Sequence, residues 1–342
     1  MSFKKWLNAV LVAAVFIGFF GCSDDPKEDK SVLTKVANTD LPVVALKSVG
    51  ATTITLEAAS DYSAGGYGVI TSDNYFSKAI ISTDAAVDFA DGNFYILERF
   101  PENLDFLTAG GEIINQVPFQ NSAFFNAHGV CGNGSGKIYV GSYEDVKIAV
   151  FEKENGEIKY KNDINLPSFP NAKLSDLKFA NGKIYVALQF MENWAPSAKS
   201  KVLEIDETGN VLREFESNFM NVLQVEIRGN NLFVVDAGNY FGGEFNGGIT
   251  KVDLSNGAKT TIFSASSAEG NPYKIEFATD NKGYLKLYKD WGDEYIVEFL
   301  LSGSTMNLTK GDFSDKNPVS DISYNQSTKT LWLASGNEVF KY

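Results

Sequence analysis

Four polar residues stand at matched places along this chain, and a histidine stands one residue before the same place in a fifth unit. His128, Asp176, Gln224, Lys274 and Asp321 open the short alternating runs "HGVC" 128–131, "DLKF" 176–179, "QVEI" 224–227, "KIEF" 274–277 and "DISY" 321–324. Convergent polar groups in a pocket make a site, and a histidine near two carboxylates can act as a general base or help hold a cation. The opposing reading is that polar residues lining a wet channel are solvated or tied to backbone. His128 is the only histidine, so a His-rich metal centre is excluded. Asp176 and Asp321 could join a carboxylate-rich site, but no spacing demands it. Nucleophile elbow, phosphate loop and dinucleotide fingerprint are all missing in a supporting context; "GGEFNGG" 242–248 lacks the strand–helix setting that would cradle phosphate. "KDWGDE" 289–294 lacks the regular calcium-loop pattern. No metal and no cofactor is expected.

A second set of residues suits binding better than catalysis. The stretches "GSYEDVK" 141–147, "LQFMENWAPSAKS" 188–200, "DAGNYFGGEFNGG" 236–248 and "YKDWGDEY" 288–295 interleave rings with carboxylates. Tyr143, Trp194, Tyr240, Phe241 and Trp291, with Asp293, are the candidate ligand contacts. Flat rings beside acceptors fit a sugar face, or the apolar and basic groups of a protein partner. The competing reading is that individual rings tuck down as loop plugs.

These residues need elements that bring them to one end of one body. A pair of large apolar residues recurs roughly 44 to 51 residues apart: Phe94-Tyr95, Ile138-Tyr139, Ile184-Tyr185, Leu232-Phe233, Tyr284-Leu285 and Leu331-Trp332. Each pair follows a turn such as "DGN" 91–93 or "NGK" 181–183, and each turn follows an alternating strand. A third strand closed by glycine comes after, as in "KVLEIDETG" 201–209 and "ITKVDLSNG" 249–257. The unit is therefore a four-stranded antiparallel meander. One such sheet cannot bury both faces alone, and stacking several around an axis can. A two-sheet sandwich gives no reason for the long period. We expect an all-β fold, a β-propeller of four-stranded antiparallel blades. Six units are visible from Ala85 onward, and residues 42–83 hold strands enough for one more blade and for the strand that closes the ring. Seven blades are expected, with six as the alternative, and a strand from near the N-terminus closes the ring because the last unit has only three.

The units resemble the YVTN and NHL-type propeller repeats of secreted bacterial proteins. "KVLEIDETG" and "ITKVDLSNG" carry the likeness best. It implies fold, not activity. In such a fold the first strand of each blade lines the channel, and the loops between second and third strands share a face with its mouth. That would place the five polar residues at the channel mouth and the aromatic loops around it.

The chain begins with Lys4 and Lys5, an apolar run from Trp6 to Phe20, and Gly21-Cys22. This resembles a bacterial lipoprotein signal, which implies lipidation at Cys22 after removal of 1–21; an ordinary secretory signal is the alternative. Residues 22–40 are polar and charged and read as a tether, leaving 41–342 as the propeller. Asp24 and Asp25 resemble the acidic signals of some surface-exposed lipoproteins. The formal net charge of −13 argues against nucleic acid as a partner and against attraction to anionic lipid. With Cys22 used, Cys131 has no disulfide partner and reads as a buried small hydrophobe. The expected protein is held at the bacterial outer membrane by lipid, on its periplasmic or cell-surface face. Its expected role is binding a glycan or an envelope protein. The alternatives are a metal-assisted hydrolase or lyase at the channel mouth, and a structural subunit of an envelope complex.

Overall fold

The computed structural model describes residues 32–342 other than 73, 79–81, 101, 120–124, 291, 312, 314 and 315, and of Phe241 the backbone only. The signal segment, Cys22, most of the tether and Trp291 lie outside the described residues.

Residues 33–342 form a seven-bladed β-propeller: seven four-stranded antiparallel sheets, each a simple meander. The inner strands, in order from blade 1 to blade 7, are Val43–Val49, Ala85–Ala90, Ala127–Gly132, Lys173–Ala180, Val222–Arg228, Asn271–Phe277 and Asp321–Asn325. Neighbouring inner strands touch all the way round, and that of blade 7 packs on that of blade 1. Blade 7 takes its fourth strand, Thr34–Asn38, from the start of the domain. That strand runs antiparallel to Glu338–Lys341, with Thr34 opposite Lys341 and Asn38 opposite Glu338. This removes an open edge that would otherwise invite pairing with another chain.

The closing strand falls inside the stretch read as tether. Its sequence, "TKVAN", is poor in apolar residues because it is an outermost strand, and only Ala37 of the five is buried. Backbone pairing and the Lys35–Glu338 ion pair at 2.8 Å hold it instead.

The repeated "IYV" phrase has a packing cause. Side chains alternate across a strand, so neighbours in sequence enter opposite seams. Ile138 and Val140 pack with blade 2, while Tyr139 packs with blade 4. One unit later, Ile184 and Val186 pack with blade 3, while Tyr185 packs with blade 5. One apolar cluster fills each of the seven seams. Burying a side chain of this size contributes about 1.5–3 kcal/mol, so the phrase stabilises two seams at once. The tight turns before it are also explained: Asn181 and Gly182 have φ of 53° and 73°, the positive values that a two-residue hairpin turn requires.

Candidate functional site

The mouth of the channel is shaped by bulges. Five inner strands carry an extra residue near their first end, between Val43 and Ala45, His128 and Val130, Leu174 and Asp176, Val222 and Gln224, and Pro272 and Lys274. A bulge bends a strand and re-aims its side chains, and bulges gather at barrel rims. Here the inserted Ser175, Leu223 and Tyr273 line the channel mouth. The channel is a cavity of about 760 Å³.

The five sequence-matched polar residues lie at this level, and four of them bond to the next blade. Asp176 accepts the Leu177 amide at 2.8 Å on one oxygen and the Val225 amide of blade 5 at 2.9 Å on the other. Gln224 accepts from the Ile275 amide of blade 6 at 2.8 Å and donates to the carbonyl of the same residue at 3.1 Å. Asp321 accepts the Leu46 amide of blade 1 at 2.9 Å and Lys274 Nζ at 2.8 Å. These residues staple inner strands together. Each oxygen of both aspartates thus already accepts one hydrogen bond. Among the described residues no group of three or more His, Cys, Asp or Glu could hold a metal ion.

His128 is placed differently. Its ring stacks on Tyr143, centroids 4.6 Å apart and planes 29° from parallel. Burial, and then the positive charge of Arg99, hold its pKa well below the usual histidine value. It is a neutral donor–acceptor at pH 7, not an imidazolium. Arg99 is itself ion-paired to Asp84 and donates from Nε to the Ala127 carbonyl at 3.1 Å. Tyr143 carries Lys173 Nζ 5.6 Å from its ring centre, and Lys173 is also paired to Glu144.

Below the mouth runs a belt of buried charge. Lys47 and Lys178 share Asp88, at 2.6 Å and 3.6 Å. Arg228 meets Glu226 at 3.3 Å, and Glu276 meets Lys274 at 3.8 Å. Burial alone would raise the Asp88 pKa, but Lys47 and Lys178 outweigh it and hold the carboxyl well below the ordinary range. Burial opposes the charge of Lys178 too, and Asp176 and Asp88 overcome it. Cys131 is buried and free, and burial pushes its thiol up, away from reactivity.

Three comparisons were made with known proteins. No family model matches the chain, and no curated protein matches it. Solved structures do. A streptogramin B lyase is 13% identical with a TM-score of 0.66, covering 91% of this chain and 96% of its own. A catalytically inactive virginiamycin B lyase from Staphylococcus aureus, solved with quinupristin, is 17% identical with a TM-score of 0.63, covering 91% and 98%. The WD40 domain of Neurospora crassa Pan2 is 10% identical with a TM-score of 0.59, covering 90% and 94%. The likeness is one of fold. It joins lyases and a WD40 domain and assigns no chemistry to this chain.

The predicted ring residues divide. Tyr143, Trp194 and Tyr240 line the channel mouth together. Tyr240 opens a 3-10 turn, Tyr240–Gly242, and meets Tyr288 edge-on at 5.1 Å. Phe241 belongs to the same turn. Trp194 sits at the tip of a small hairpin, Met191–Glu192 against Ala195–Pro196, inserted between the second and third strands of blade 4. Asn193 and Trp194 both have positive φ, 51° and 64°. A tryptophan is rarely held there, and this one is 72% exposed. Asp293 lies apart from the channel lining and accepts Asn317 Nδ2 at 2.9 Å.

Sequence reasoning missed Arg99, Asn126, Gln189 and Asn221 at the mouth, and the whole charged belt below. The belt had a signal. Residues two apart on a strand share a face, so Lys178, Glu226 and Glu276 follow Asp176, Gln224 and Lys274 into the channel.

Proposed function

We propose that this chain is a lipid-anchored, extracytoplasmic β-propeller that binds a glycan or protein partner through the aromatic mouth of its channel. One observation carries the reading. Tyr143, Trp194, Tyr240 and Tyr273 from four successive blades edge one cavity of about 760 Å³, within the usual ligand-pocket range of about 300–1,000 Å³. Trp194 stands exposed over it, held at positive φ by the two-residue turn of its hairpin. The anchor is proposed from the sequence around Cys22, and the outer membrane from that same signal.

A docked-subunit reading has its own support. Tyr62 is 67% exposed and Phe100 56% exposed, both in loops between second and third strands, outside the channel lining. A flat partner would cover them. The hydrolase or lyase reading lacks a donor set, because Asp176 and Asp321 are already committed to staples.

The test is calorimetric titration of the full chain with pooled oligosaccharides and pooled peptides, beside the Trp194→Ala variant. Saturable heat that Trp194→Ala abolishes supports the mouth as the binding site. Saturable heat unchanged in that variant would place binding elsewhere.

A further inference from the structure

The channel supplies its own counter-charges, and that bears on what can enter it. Every charged side chain that lines it lies within ion-pair distance of an opposite charge. Lys47, Asp88, Asp176 and Lys178 form one chain of contacts at 2.6, 3.6 and 3.9 Å. Lys274 is shared by Asp321 and Glu276, Arg228 by Glu226, Arg99 by Asp84, and Glu144 by Lys173. A charged ligand group would have to share or displace a counter-charge that is already engaged. A new charge therefore meets a like charge beside its counter-charge and gains less here than at an unpaired site.

What remains for a ligand is uncharged. His128 is neutral, as argued above, and offers one donor and one acceptor. Asn126 lines the mouth with φ of 49°, a left-handed conformation, and its side-chain oxygen is buried without a hydrogen-bond partner. That oxygen is closed to solvent, so a ligand hydroxyl or N–H would reach it only after the side chain turns toward the channel. Beside these stands the exposed ring of Trp194, which suits the C–H face of a sugar ring.

We infer that the channel mouth selects an uncharged, hydroxyl-rich ring, such as the end unit of a neutral glycan, and discriminates against uronate-bearing and amine-bearing sugars. This rests on the binding reading above and narrows it.

The experiment sorts one oligosaccharide collection into neutral, uronate-bearing and amine-bearing pools and titrates each calorimetrically into the full chain. Each titration is run at about 0.05 M and about 0.5 M NaCl, a range over which screening length falls several-fold. The expected result is that neutral members bind at least about tenfold more tightly than charged ones, a difference of about 1.4 kcal/mol. Their affinity should change less than about twofold with salt, and Trp194→Ala should abolish it. If a charged pool binds best and Trp194→Ala still abolishes binding, charge discrimination is overturned while the mouth remains a binding site. If no pool binds, the glycan form of the binding reading is lost, and this inference with it.

Discussion

Asp321 of blade 7 accepts the backbone N–H of Leu46 in blade 1 at 2.9 Å, across 275 residues of sequence. Its other oxygen takes Lys274 of blade 6 at 2.8 Å. One buried carboxylate therefore ties three blades together at the place where the ring closes. Asp321→Ala removes both bonds and leaves an amide and an ammonium short of a partner. The expected cost is about 2–4 kcal/mol, read as a lower midpoint in chemical denaturation. Asp321→Asn keeps an acceptor for Leu46 and should recover part of it. An unchanged midpoint in Asp321→Ala would show that the seam does not depend on this staple.

Trp194→Gly separates fold from binding. Glycine adopts the positive φ of this position without steric cost. Stability should stay level or rise by up to about 1 kcal/mol, while ligand heat falls away. A loss of stability instead would mean that the ring is part of the packing.

Gly141 tests the difference between the two copies of the repeated phrase. A Cβ there would lie 2.1 Å from Leu174 Cδ2 and 2.8 Å from the His128 carbonyl. Ala187 holds the matching place in the next blade and is fully buried without difficulty. Gly141→Ala is expected to cost about 1–3 kcal/mol by overpacking. The reverse change, Ala187→Gly, should cost less, about 0.5–1 kcal/mol. Thermal melts of the pair decide it: equal losses would contradict the crowding at Gly141.

Asp105 gives a pH signature. It is 0% exposed and Glu98 is 2% exposed, and the two share Gln116 Nε2 at 2.7 and 3.0 Å. Burial, and then the charge of Glu98, pushes Asp105 up to about 7. An unfolded aspartate titrates at about 3.9. The folded chain therefore keeps a proton that the unfolded chain releases. That contribution to stability is full below about pH 4 and is lost as pH rises through about 7. Asp105→Asn fixes the neutral form. Its melting temperature should exceed that of the unsubstituted chain at about pH 8, and the gap should narrow as pH falls and close below about pH 4. A gap that does not vary with pH would rule out this titration.

The repeat was legible because each blade must bury both faces, and that demand writes apolar pairs such as Ile138-Tyr139 and Ile184-Tyr185 at a fixed period. That an N-terminal strand closes the ring was legible too, from the three strands of the last unit, but its place at Thr34–Asn38 was not, because an outermost strand is held by backbone pairing that polar residues satisfy equally well. At the channel, sequence alignment brought Asp176, Gln224 and Asp321 to one level. Spacing alone cannot tell a staple from a site, since both need a polar side chain at the rim. The difference lies in which amide each oxygen meets, and that depends on the rotation of one blade against the next. Trp194 was found as an exposed ring, but its left-handed backbone depends on a hairpin that composition does not reveal.

The pairing of Thr34–Asn38 with Glu338–Lys341 sets an order of events during biogenesis. The first strand to be synthesised waits, without a mate, until nearly the whole propeller exists. A chain released before Asp321 leaves that strand unclaimed and blade 1 without its neighbour, with two apolar seams bared. Closure thus works as a length check, distinguishing finished chains from truncated ones by the surface they show to proteases. The same long-range pairing makes the final step slow to find, since the ends must meet across the full contour of the domain.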